Sequence, residues 1–270
     1  MSLTHGHPDL DLALEAAAAA GTAIMRAFGN KHDVIYKSPG QPVTAADLEA
    51  DRILHEVLLS ARADYGWLSE ETADNPDRLE RALVWIVDPI DGTRTFIRGK
   101  PEFSISIALA EHGEVKLGVV ANPATGETFW AVRGSGAYLG DARLQVSDRT
   151  DADGAIMVAS SNELRVGEFS PFSKGWKIQP VGSTAYKLAR VAQGVADVFL
   201  SRGAKSEWDV AAGDLLVREA GGQVTDLRQH HLRYNQPDPY VHGILGSNGR
   251  LHDPVLAIVN SMPPARRLRE

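Results

Sequence analysis

The segment Trp85-Ile86-Val87-Asp88-Pro89-Ile90-Asp91-Gly92-Thr93 places two carboxylates directly after an apolar run that reads as a buried strand. A lone aspartate there would be turn chemistry. Two, spaced by Pro89 and Ile90, suit the holding of something positive. Further acids fall at other element ends: Asp47 at a helix start, Glu70-Glu71 after a short strand, and Asp209 opening the helix after Lys205-Ser206-Glu207-Trp208. Each alone is explained as a cap or turn residue. Together they demand more, because two carboxylates about 4 Å apart repel by on the order of 4 kcal/mol at an effective dielectric of 20. A fold gathers them only around cations. With no cysteine and no histidine pair at metal spacing, the all-oxygen donors select a hard ion, Mg²⁺ ahead of Zn²⁺. On this reading Asp88 and Asp91 reach different ions, and Pro89 forces a turn that frees the Ile90 carbonyl as another ligand. Gly92 lets the backbone approach a phosphate, and Thr93 offers a hydroxyl that orients a water.

The elements that must position these groups are readable in outline. Residues 10–28 carry apolar residues at helical spacing, and their run of five alanines implies close helix packing. A short extended piece, 34–37, leads into a loop at Ser38-Pro39-Gly40-Gln41-Pro42. Thr44 reads as the N-cap of a helix reaching about Ala61. Residues 66–72 read as a short strand and turn, and the stretch from about 82 to 140 alternates strand-like runs with hairpin punctuation, as in an antiparallel meander. From about 155 strands and helices alternate, an α/β rhythm. The expected unit is compact, with an N-terminal α+β half over 1–150 carrying most ligands. A C-terminal α/β half over 151–270 carries Asp209 and the substrate side. The last residues, 263–270, read as a frayed tail.

Bulk properties narrow the class. The chain has 270 residues, 43% of them hydrophobic and 23% charged, enough for a real core. The formal net charge of -7 speaks against a nucleic-acid binder, which needs a basic face. No apolar run reaches the length of a membrane span, and the start lacks a secretory pattern. The absence of cysteine fits a reducing cytosol. The expectation is a cytoplasmic enzyme for small anionic molecules, with a homodimer left open.

Glu70-Glu71, Asp88-Pro89-Ile90-Asp91-Gly92-Thr93, and Trp208-Asp209 followed after eleven residues by Gly221-Gly222 together resemble the inositol monophosphatase superfamily. Residues 42–47, PVTAAD, extend the match over nearly the whole chain. The resemblance implies a Mg²⁺-dependent, usually lithium-sensitive phosphomonoesterase with a layered αβαβα sandwich. It implies two or three ions held by Glu70, Asp88, the Ile90 carbonyl, Asp91 and Asp209, with Asp47 and Glu71 as supporting acids. Glu70, Thr93 and Asp47 are the expected catalytic groups, activating a water that attacks phosphorus directly. Haloacid-dehalogenase-type phosphatases also carry aspartates before Gly-Thr, but one residue apart and near the N-terminus; here two residues intervene. A silent metal- or phosphate-binding regulator would need only some of these ligands, and all are present.

The substrate features point toward a 3'(2'),5'-bisphosphate nucleotidase, with inositol-1-monophosphatase as the alternative and a sugar bisphosphatase behind both. Arg94 follows the phosphate loop, where the nucleotidase branch tends to be basic. Seven positions before Asp209, where inositol enzymes tend to carry an acid, this chain has Arg202. A basic residue suits a second phosphate. The endings Glu207-Trp208-Asp209 and Leu232-Arg233-Tyr234-Asn235 resemble the same branch. Gly182-Ser183-Thr184 opens a helix and offers either an anion contact or a plain cap. Lys187 and Arg190 share a helix face, as solvated charges or rim contacts. His230-His231 reads as a solvated turn, and Gly134-Ser135-Gly136 and Gly243-Ile244-Leu245-Gly246 as turns.

Overall fold

The computed structural model describes residues 6–30, 33–38 and 41–264. The first five residues, Pro39-Gly40 of the expected loop, and the tail from Ala265 lie outside them. The chain runs α1 (Pro8–Ala27), β1 (Ile35–Ser38), β2 (Gln41–Val43), α2 (Ala45–Ala61), β3 (Gly66–Ser69), β4 (Leu83–Asp91) and a short α3 (Thr93–Ile97). It continues through β5 (Ser104–Glu111), β6 (Glu114–Asn122), β7 (Glu127–Val132), β8 (Gly136–Leu139), β9 (Ala142–Arg143), β10 (Ile156–Ala159) and α4 (Ser161–Arg165). It closes with β11 (Lys177–Pro180), α5 (Thr184–Ala192), β12 (Val198–Ser206), α6 (Glu207–Glu219), β13 (Gln223–Thr225), β14 (Tyr240–Ser247) and α7 (His252–Asn260).

Five layers result. Helices α1 and α2 cover one face of a seven-stranded sheet ordered β3-β4-β5-β6-β7-β8-β9. Helices α5 and α6 fill the space between that sheet and a five-stranded sheet ordered β11-β10-β12-β14-β13. Helix α7 closes the outer face of the second sheet. This is the αβαβα sandwich. Ala16, Ala17 and Ala20 are buried in the layer shared with α2, where small side chains let the helices approach. The first sheet is antiparallel except that β3 runs parallel to β4. The second is mixed: β10 pairs in parallel with β11 and β12, while β14 runs antiparallel to β12 and β13.

Three local expectations need correction. Pro89 makes no turn; β4 continues through it to Asp91, with a bulge. Asp88 pairs with Ser106 and Asp91 with Ser104, so β4 carries one extra residue there. A bulge is where a strand tolerates a residue without an N–H. Ser38, Gln41 and Pro42 belong to the paired strands β1 and β2. Gly243 and Gly246 lie inside β14, where a Cβ on either would press against Leu227 or Leu188. They are glycines because helices and loops pack onto the strand, and form no turn of their own.

Candidate active site

The ends of β4, β3 and β12 bring the acids together. Glu70, Asp88 and Asp209 each offer one oxygen, and these oxygens lie within 4.8 Å of one another. Asp88 Oδ1 accepts the Ile90 amide at 2.9 Å, while its Oδ2 is buried with no hydrogen-bond partner. A buried carboxylate oxygen without a donor is costly, and a hard cation beside Glu70 and Asp209 would satisfy it. The donor set therefore fits Mg²⁺. Burial, reinforced by the charges of Glu70, Asp91 and Asp209, pushes the Asp88 carboxyl well above its ordinary range. Burial likewise raises Asp91, and raises Asp209 to about 8, with Asp91 and Glu70 adding to the shift. Without cations these groups resist ionisation together.

Asp91 is held by a second tier. Its Oδ2 accepts the Ser183 hydroxyl at 2.7 Å and the Ala185 amide at 2.6 Å. Ser183 Oγ also caps α5 through the Tyr186 amide and sits 2.9 Å from Ser104 Oγ. Its one hydrogen goes to Asp91, so Ser104 is the donor in that contact. Ser183 has φ 51°, an uncommon region for a non-glycine residue, and this network holds it there. Gly182 must be glycine, because a Cβ would collide with the Glu102 carbonyl and the Thr95 side chain. Gly92, at φ 99°, likewise packs against Ser183 and Glu102.

Asp47 is buried at the start of α2, where Oδ2 takes the Thr44 amide at 2.8 Å and the Thr44 hydroxyl at 2.6 Å. Its Oδ1 accepts from Thr93 Oγ1 at 3.0 Å, and that hydroxyl also lies 3.1 Å from the Ile90 carbonyl. Asp209 takes the corresponding place at the start of α6, accepting the Ser206 amide. The Lys37 ammonium contacts Glu70 and Glu71, each at 2.9 Å. Burial raises Glu71 to about 7, against the opposing pull of Lys37.

The residues proposed for the substrate separate. Arg94 is exposed on α3, one position beyond Thr93. Arg202 is part-buried in an ion pair with the buried Glu168 and also donates to the Pro263 carbonyl. Glu207 accepts the amides of Asn235 and Gln236, and Tyr234 donates to Asp214. Those two motifs brace the fold. Lys187 is no solvated charge: it is buried, lies over the Phe199 ring and donates to the Val181 carbonyl at 3.2 Å. Desolvation lowers it to about 8. Arg190 stacks on Tyr186 and pairs with Glu127. His230 is exposed and bonded to Asp226, and Gly134 and Gly136 form a turn tied by Glu219.

Two supporting residues went unread in the sequence. Asp51 accepts the hydroxyls of Ser69 at 2.5 Å and Thr72 at 2.6 Å, fixing the turn that carries Glu70. Its signal was present: with Asp47 it sits on the buried stripe of α2, among Ala46, Ala50 and Leu54. Ser104 had none, since its role exists only across strands.

Comparison with known proteins agrees with this geometry. Residues 7–263 match the inositol monophosphatase family. Among relatives, the inositol-1-monophosphatase of Rhizobium meliloti (strain 1021) is 40% identical over 227 residues, covering 80% of this chain and 85% of that protein. The Nus factor SuhB of Pasteurella multocida (strain Pm70) is 34% identical, covering 83% and 87% respectively. Among solved structures, the Thermotoga maritima IMPase superposes with a TM-score of 0.84 at 34% identity, covering 94% of this chain and 97% of its own. The chain belongs to the inositol monophosphatase family, Mg²⁺-dependent hydrolases of phosphoric monoesters.

Proposed function

We propose that this chain hydrolyses the phosphate ester of a small, hydroxyl-rich alcohol, with inositol 1-phosphate as the first candidate. The observation that carries the chemistry is the convergence of Glu70, Asp88 and Asp209 beside the orphaned Asp88 oxygen. Glu70, Asp88, Asp91, Asp209 and the Ile90 carbonyl would hold two or three Mg²⁺ ions. When bound, Mg²⁺ makes water a nucleophile near neutral pH and offsets charge on the attacking and leaving oxygens. The Thr93 hydroxyl hydrogen is directed at Asp47, leaving an oxygen lone pair to accept from the attacking water. Glu70, partly open to solvent, takes the proton that the water gives up. Asp91 is held in place by Ser183 and Ala185. Gly92 and Thr93 would line the phosphate.

The substrate follows from what the basic residues do. Arg202 is committed to Glu168, which leaves it poorly placed to receive a second phosphate. Relatives named inositol-1-monophosphatase are the other support. A second reading, hydrolysis of adenosine 3',5'-bisphosphate, keeps one observation in its favour. Lys187 and Lys205 both act on Asp91, so two cations stand near that carboxylate. Phosphate release from inositol 1-phosphate, adenosine 3',5'-bisphosphate and fructose 1,6-bisphosphate, each with Mg²⁺, decides between them. A higher kcat/KM for the adenosine bisphosphate would replace the first reading with the second. Turnover of none of the three would remove the phosphatase assignment for these substrates.

A further inference from the structure

Strands β10, β11 and β12 run parallel, so their carboxyl ends share one edge of the second sheet. That edge is where open α/β sheets bind ligands. The chain after β10 supplies Glu163, the chain after β11 leads through Ser183 to Lys187, and β12 contributes Ser201. The strand ends are stitched together, since the Val181 amide donates to the Ala159 carbonyl at 3.0 Å.

Glu163 is 6% exposed. Its Oε1 accepts the Ser201 hydroxyl at 2.8 Å, but its Oε2 is buried and has no partner. Lys187, 3% exposed, donates to one carbonyl, so two of its three hydrogens are uncommitted. Phe199, under the Lys187 ammonium, and Ser201, bonded to Glu163, are two residues apart on β12 and face the same side, so the two charges are neighbours; Lys187 also acts on Asp91 and Asp209. Yet they form no direct ion pair. A single oxygen between them would complete both groups, accepting from the ammonium and donating to the carboxylate. Two such hydrogen bonds in series span about 5 Å. Only a hydroxyl or a water can do both. The dianionic phosphate that prevails at neutral pH has no hydrogen to donate, and it would meet the unpartnered carboxylate with like charge.

We propose that Glu163 and Lys187 form a hydroxyl-reading pair that binds an OH group of the leaving alcohol beside the scissile phosphate. This rests on the phosphomonoesterase reading and adds to it the residues that select a hydroxylated substrate.

The test uses the full chain with Mg²⁺ and two matched substrate pairs: myo-inositol 1-phosphate against cyclohexyl phosphate, and adenosine 3',5'-bisphosphate against its 2'-deoxy analogue. p-Nitrophenyl phosphate, with no hydroxyl on its leaving group, is the reference. The expected result is at least a tenfold preference in kcat/KM for the hydroxylated member of one or both pairs. Glu163→Met should reduce that preference about tenfold or more, the order expected for a lost hydrogen bond to a charged group. Lys187→Met should reduce it too, and the milder Glu163→Gln serves if Glu163→Met fails to fold. Glu163 variants should leave p-nitrophenyl phosphate within about twofold. The proposal is overturned if the wild-type chain shows no preference, or if the variants keep it, which would assign the gap to a water. Equal losses on every ester would assign Glu163 to the scaffold and overturn it as well. Hydrolysis of p-nitrophenyl phosphate in those cases leaves the phosphatase reading standing. Hydrolysis of none of the five esters removes that reading and this one with it.

Discussion

Thr93 Oγ1 lies 3.0 Å from Asp47 Oδ1, joining the start of α3 to the start of α2 across 46 residues of sequence. The carboxylate is itself fixed by two bonds from Thr44, so it can hold the threonine hydroxyl in one rotamer. That orientation matters to catalysis only if the hydroxyl oxygen receives the water. Thr93→Val, which keeps the shape and removes the oxygen, should lower kcat by about 10²-fold with little change in KM. Thr93→Ser should stay within about tenfold of wild type. Equal activity for the valine variant would remove Thr93 from the mechanism.

The carboxylates should be costly to the apo fold and necessary to turnover. Asp88→Asn, Asp91→Asn and Asp209→Asn are each expected to lower kcat by about 10²-fold or more. Asp88→Asn and Asp209→Asn should also keep or raise the metal-free Tm, because each relieves the repulsion that raises these carboxyls. Thermal melts in chelator and steady-state kinetics in Mg²⁺ separate the two effects. Normal turnover in a folded variant would exclude that residue as a ligand.

Metal-free stability should fall as pH rises from about 6.5 to 8. Burial raises Asp209 to about 8 and Glu71 to about 7, so the folded chain keeps protons that the unfolded chain released near pH 4. Their stabilisation is complete below about pH 4 and is lost as pH climbs through the folded values. Buried His252, lowered to about 4, works in the opposite sense between pH 4 and 6.5, which is why the window starts above it. Asp209→Asn should flatten the slope. Mg²⁺ competes with these protons, so its effect on Tm should be larger at pH 8 than at pH 6.5. A metal-free Tm that rises across this window would contradict the buried acidic cluster.

Activity itself should need Mg²⁺ and vanish in excess chelator. Ca²⁺, larger and looser in its coordination, should compete with Mg²⁺ and support little turnover. Phosphate release in chelator, followed by titration of each ion, tests both statements.

Arg202→Ala should destabilise before it alters specificity. The Arg202 and Glu168 side chains are 9% and 5% exposed, so Arg202→Ala breaks a nearly desolvated ion pair and also removes the bond to the Pro263 carbonyl. Such losses cost about 3–5 kcal/mol, so the Tm should drop by roughly 6–20 °C in a chain of this size. The ratio of kcat/KM for adenosine 3',5'-bisphosphate to that for inositol 1-phosphate should stay within about twofold. A tenfold fall in that ratio with an unchanged Tm would return Arg202 to the substrate.

Much of the candidate site is legible because its signals are local. The spacing within Asp88-Pro89-Ile90-Asp91-Gly92-Thr93, the N-cap at Thr44 and the acid three residues on, and Asp209 at a helix start are set by neighbours in the chain. Strand alternation and helical periodicity likewise report which face is apolar, and so implied the meander, the α/β second half and the layers. Asp51 is readable on the same grounds, from its place with Asp47 on the buried face of α2.

What remained was decided by contacts between distant segments. Pro89 sits in a bulge because β5 pairs on both sides of it. Lys187 and Arg190 have the same charge and helical spacing, yet packing buries one above Phe199 and leaves the other against Glu127. Arg202 looked like a free cation until Glu168, 34 residues away, was brought to it. Glu163 gave no sign of its open oxygen, because neither Ser201 nor Lys187 is near it in sequence. Charge and periodicity are properties of a residue and its chain neighbours. Burial, partner and the room left beside a carboxylate are properties of the packed interior, and only the tertiary structure assigns them.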